Sequence, residues 1–132
     1  MLFRLAWAIE WLNVADAVNR WGIPYWLEME VRARDKNCVY CAVLMIERAP
    51  RGSSRKAVAT WEHIINDARI ITRENIALCC ASCNSSKGQK FLSVWIASEK
   101  CIKRGVTEAT IAPIIQLALK AEMDSVRLER MQ

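Results

Sequence analysis

The chain has a single histidine, and no apolar run in it is long enough to cross a bilayer. It has no internal repeat, low-complexity tract or long linker, and only four glycines and three prolines punctuate its 132 residues. Repeat arrays and membrane-spanning helices are therefore excluded. The segment 1–12 is apolar but interrupted by Arg4 and Glu10, and no small-residue cleavage site follows it. It is too short to span a membrane and too broken for a secretory signal. Leu2, Leu5, Ile9 and Leu12 recur at helical spacing beside Trp7 and Trp11, which predicts an amphipathic helix. Without a signal, the expected location is cytoplasmic, where cysteines ligate metals or stay buried more often than they pair.

What is present is a globular composition, 53% apolar and 25% charged, at a length that predicts one domain over 1–132. A net charge of +5 suits a polyanionic partner such as nucleic acid, although charge alone is weak support. Helices are expected over 2–20 and 25–34, with Gly22 and Pro24 between them. Apolar and β-branched residues cluster over 37–47, a turn follows at 49–54, and 56–65 is β-prone again, which predicts a hairpin between the two stretches. From Thr72 the chain reads as short helical pieces, and two more helices are expected over 91–103 and 107–130, separated by Gly105. Their apolar residues are assigned to packing or to a homodimer surface.

The chemistry lies in the middle third. Cys38-Val39-Tyr40-Cys41 and Cys80-Ala81-Ser82-Cys83 form two CxxC pairs. Together they can offer four thiolates to one tetrahedral zinc at about 2.3 Å. Cys79 and Cys101 are left as core thiols. Between the pairs stands His63, preceded by Glu62; Asn75 follows, and Asn84 comes directly after the last thiol.

Over residues 34–88 the sequence resembles the HNH endonuclease family in its four-cysteine zinc variant. The stretches that carry the resemblance are Cys38-Val39-Tyr40-Cys41, Glu62-His63-Ile64, and Asn75 through Cys80-Ala81-Ser82-Cys83-Asn84-Ser85-Ser86-Lys87-Gly88. The resemblance implies an α+β fold: a small ββα-metal core over 37–90 stapled by the zinc, with helical parts over 1–36 and 91–132. It also implies a metal-dependent endonuclease acting on nucleic acid, double-stranded DNA in the first instance. His63 would be the general base, Asn75 would brace the loop and orient that base, and Glu62 and Asn84 would hold a catalytic Mg²⁺ or Mn²⁺. The sequence departs from the family where Glu62 stands for the commoner Asp, and where 63–75 lacks a glycine-rich turn.

Arg55, Lys56, Arg69, Arg73, Lys87 and Lys90 are candidate phosphate contacts. Asp67 reads first as a turn residue and second as an extra metal or substrate contact. Two other readings stand beside the nuclease: a zinc-ribbon nucleic-acid-binding module without catalysis, and a scaffold in which zinc serves stability alone.

Overall fold

Every residue of the strand Ile76–Cys80 is buried, so this segment must be covered on both faces, and the rest of the fold arranges itself to do so. The structure is a computed structural model that describes residues 17–132. In chain order its elements are α1 (Tyr25–Arg34), β1 (Ala59–His63), β2 (Ile76–Cys80), α2 (Ala81–Lys87), α3 (Leu92–Ile96), α4 (Glu99–Lys103) and α5 (Pro113–Arg130). The class is α+β, with one two-stranded antiparallel sheet.

The register pairs Ala59 with Cys80, Thr60 with Cys79, Trp61 with Leu78, Glu62 with Ala77 and His63 with Ile76. Side chains alternate along a strand, so Thr60 and Glu62 leave one face while Ala59, Trp61 and His63 leave the other. On the first face, Ala77 and Cys79 join a core with Tyr40, Leu92, Trp95, Cys101 and Ile115. On the second, Ile76 and Leu78 pack on Ile23, Leu27 and Val31, with Trp61 against them. Leu27 and Val31 are four apart, one helical turn, which is how α1 turns one stripe to the sheet. Asp35 fixes that helix end, since its Oδ2 accepts the Leu78 N–H at 3.1 Å. Beside it Arg34 donates to the Ile76 carbonyl at 2.8 Å.

Several expectations are corrected. The stretch 37–47 is no strand; it makes only isolated bridges, Asn37 with Leu44 and Ile46 with Val58. A cysteine knuckle must fold back on itself: Ala42 takes a left-handed φ of 65°, and its N–H reaches the Cys38 carbonyl at 3.0 Å. β1 pairs instead with 76–80, which the sequence assigns to helical pieces. An apolar run with no polar alternation does not distinguish a doubly buried strand from helix, and tertiary burial decides. The helix expected over 91–103 is split into α3 and α4 at Ser98, whose hydroxyl accepts the Cys101 N–H and caps a fresh start. The helix expected from 107 begins at Pro113, the favoured first helical position. Residues 1–16 of the helix expected over 2–20 lie outside the described residues. Residues 17–20 are not helical, because Asn19 Oδ1 accepts from the Trp21 and Ile23 amides and turns the chain. Among the described residues no helix is long and apolar enough to cross a membrane.

Trp95 is fully buried, meets Tyr40 edge-to-face at 4.9 Å, and donates its indole N–H to Ser86 Oγ at 3.0 Å. Trp95→Ala is expected to lower unfolding free energy by about 3–5 kcal/mol, read from a urea transition.

Candidate functional site

The four sulfurs of Cys38, Cys41, Cys80 and Cys83 lie within 4.8 Å of one another. Cys41 Sγ and Cys80 Sγ are 3.8 Å apart. A tetrahedron with metal–sulfur bonds of about 2.3 Å has edges of about 3.8 Å, so this cluster could hold a metal ion such as zinc. One pair comes from the knuckle after α1. The other comes from the β2–α2 junction, where Cys80 Sγ also accepts the Cys83 N–H at 3.3 Å as the cap of α2. Hydrogen bonds from Cys80 and Cys83 hold the Cys38 thiol far below its ordinary range, and the same contacts push Cys80 and Cys83 up. Four negative sulfurs this close repel one another, so full deprotonation requires a cation among them. Arg104 Nη2 donates to Cys83 Sγ at 3.3 Å and supplies part of that positive charge. Cys79 and Cys101 are buried core thiols, as expected.

His63 ends β1, and its Nε2 is buried with no hydrogen-bond partner. Burial lowers the imidazole pKa; the Asp67 carboxylate opposes the shift and the Lys87 ammonium adds to it. Asn75 is buried and spans the loop after β1. Its Oδ1 accepts the Ile65 N–H at 2.6 Å, and its Nδ2 donates to the carbonyls of Ile65 at 3.2 Å and Ile70 at 3.0 Å. These three hydrogen bonds tie the loop 65–70 to the start of β2.

Glu62 and Asn84 both lie on the α2 side of β1, but the structure gives them different partners. Asn84 uses Nδ2 for Thr60 Oγ1 at 2.9 Å and the Trp61 carbonyl at 3.1 Å, which leaves its Oδ1 as the oxygen available to a ligand. Glu62 is buried, accepts the Tyr40 hydroxyl at 2.8 Å on Oε2, and has Lys87 Nζ 3.6 Å from the same oxygen. Burial raises the Glu62 pKa, while Lys87 and Tyr40 pull it back. The Tyr40 hydroxyl is itself pushed well above its usual range, by burial first and the Glu62 charge second. Glu62 and His63, adjacent in sequence, leave opposite faces of β1.

Lys87 is the clearest correction among the basic residues: it is fully buried, so it is not a surface phosphate contact. Arg55, Lys56 and Lys90 are exposed. Arg69 pairs with Asp67 at 2.9 Å, and Arg73 pairs with Glu30 at 2.9 Å, both exposed contacts of small energetic worth. Asp67 is thus a turn residue whose carboxylate is engaged, held down to about 2 by Arg69. The sequence reasoning missed Tyr40, Arg104 and the buried position of Lys87. The one available signal was that Lys87 lies three residues after Asn84, which puts both on one face of a helix.

Comparison of the chain with models of protein families, with characterised proteins and with solved structures gives no match.

Asn75→Ala would strand the Ile65 amide and two carbonyls. A loss of about 1–3 kcal/mol is expected, with faster hydrogen exchange at Ile65 than at the β2 amides.

Proposed function

We propose that this chain is a metal-dependent endonuclease of the HNH type, hydrolysing phosphodiester bonds in nucleic acid, DNA in the first instance. The observation that carries the proposal is the strand–strand–helix unit β1–β2–α2. Glu62 and Asn84 lie on its α2 side, His63 leaves the other face at the end of β1, Asn75 ties the loop that follows, and the four-cysteine cluster includes the β2–α2 junction. The reading rests on the likeness of this strand–strand–helix order to the ββα-metal core that the resemblance implies. The cysteine centre is read as zinc, because four thiolates form a closed set with no position left for water. Its task is therefore structural.

In this reading the His63 imidazole takes the proton from the attacking water. Its depressed pKa keeps it neutral, and so able to accept, at physiological pH. Asn75 holds the loop that leaves His63, so the base stays in place during the transfer. Glu62 and the Asn84 Oδ1 are hard oxygen donors that suit Mg²⁺ or Mn²⁺, which would supply charge stabilisation for the pentacovalent phosphate and the leaving oxygen. The Tyr40 and Lys87 contacts of Glu62 both fall on Oε2, and Asn84 is engaged through Nδ2, so each side chain keeps an oxygen outside these contacts for a cation. Exposed Arg55, Lys56 and Lys90 would contact phosphates without reading sequence.

With plasmid DNA and Mg²⁺ or Mn²⁺, the wild type should produce nicked circles, and His63→Ala should lower the rate by on the order of 10²-fold. Zinc content should be unaffected. Because the His63 pKa is lowered, the wild-type rate should hold through pH 6.5 and fall only at more acid pH. Wild-type nicking by His63→Ala, or no metal-dependent cutting of any DNA or RNA, would sink the proposal. Separately, Cys83→Ser should lose zinc and much of the helical circular dichroism together, since metal binding in such centres is folding energy. A zinc-free Cys83→Ser chain that unfolds cooperatively would show that the metal is dispensable.

A further inference from the structure

Lys87 is the last residue of α2 and is buried completely, which is rare for a lysine unless its charge is answered. Its answer is Glu62. The ammonium lies 3.6 Å from Glu62 Oε2 and 3.4 Å from the His63 carbonyl, and the Tyr40 hydroxyl donates to that same carboxylate oxygen at 2.8 Å. The placement follows from register. Asn84 and Lys87 are one helical turn apart, about 4.5 Å along α2. Thr60 and Glu62 are two strand residues apart, about 6.6 Å along β1. With Asn84 fixed on Thr60, the next turn of α2 delivers Lys87 to Glu62.

A buried carboxylate with one full positive charge beside it is already neutralised. Any further cation must either share Glu62 with the ammonium or displace it, and two cations within a few ångströms in a low-dielectric site repel strongly. We propose that Lys87 is a resident counter-ion of the site: it holds the Glu62 side chain in place while no metal is bound, and it sets the divalent-cation requirement by competing for that carboxylate. Lys87 is a positioning residue in this scheme. It acts through Glu62 and rests on the reading of Glu62 as a metal ligand.

The test is Mn²⁺ binding followed by calorimetry, together with the shift of the thermal midpoint by Mn²⁺, on zinc-loaded wild type, Lys87→Met, Lys87→Arg and Glu62→Gln. Lys87→Met removes the competitor, so Mn²⁺ affinity should rise by roughly tenfold and the thermal midpoint should become strongly Mn²⁺-dependent. Lys87→Arg keeps the charge and should stay close to wild type, and Glu62→Gln should abolish the response. Unchanged or weaker Mn²⁺ binding by Lys87→Met would overturn the proposal.

Should Lys87→Met fold only with Mn²⁺ present, that dependence is the expected result in stronger form. If it does not fold at all, the paired Glu62→Gln/Lys87→Met chain decides. Folding of the pair supports a charge-balancing role, and misfolding shows that the lysine stem is needed for packing and overturns it. Plasmid cutting by the wild type is scored independently. A wild type that cuts while Lys87→Met binds Mn²⁺ no better refutes Lys87 alone, whereas a tighter Lys87→Met beside an inert wild type refutes the nuclease alone.

Discussion

Burial of β2 on both faces is the constraint from which the architecture follows. A two-stranded hairpin is marginal by itself, and it becomes stable when each face is packed. Here α1 with Ile23 covers one side, while Tyr40, Leu92, Trp95 and Ile115 cover the other. Once β2 is pinned, the antiparallel register fixes which residues of β1 look toward α2 and which look toward α1. The helix that grows directly from the end of β2 then has little freedom. Its first turn carries Cys83 to the cysteine cluster, and its second lays Asn84 and Lys87 along β1.

The site is accordingly two-sided. On the α2 side sits a buried polar chain in which Tyr40, Glu62 and Lys87 satisfy one another, with Trp95 edge-to-face against Tyr40 and bonded to Ser86 of α2. Such a network contributes little net stability when complete and costs several kcal/mol when one charged member is removed, so its members are energetically interdependent. On the α1 side are His63 and Trp61, the latter under the Arg32 guanidinium at 5.0 Å. The strand end is where the two environments meet, which is why the imidazole senses both Lys87 and Asp67.

The parts legible in the sequence were those encoded by spacing. Two CxxC pairs announced a four-thiol cluster without any knowledge of how the chain connects them, and α1 was visible in its periodicity and its Gly22 and Pro24 boundary. Asn75 drew notice as the middle Asn of the motif, and in the structure its side chain bonds the backbone of Ile65 and Ile70. The errors fall where identity of the neighbour matters more than spacing. Ile76-Ala77-Leu78-Cys79-Cys80 carries no alternation because neither face meets water, so its strand character was invisible and the hairpin was assigned the wrong partner. Lys87 reads as a surface charge; its spacing from Asn84 shows a shared helix face, but the register of α2 on β1 is what reveals the carboxylate that answers it. Glu62 and Asn84 were named together as metal ligands by the resemblance alone; the structure gives them separate partners, Tyr40 and Lys87 for Glu62, Thr60 and the Trp61 carbonyl for Asn84.

The two halves of the cysteine cluster are far apart in the chain, Cys41 and Cys80 being 39 positions from each other. During synthesis the first knuckle must emerge, and wait, before the second exists. At a ribosomal pace of roughly 5–20 residues per second, the interval lasts on the order of seconds. For that time Cys38 and Cys41 are a bare dithiol, open to oxidation or to capture of a stray metal, and the hairpin that would shield them has no second strand. The cluster can close only once Cys83 has emerged, so the first knuckle must keep its two thiols reduced through that interval if the four sulfurs are to come together as a set able to hold a metal ion such as zinc.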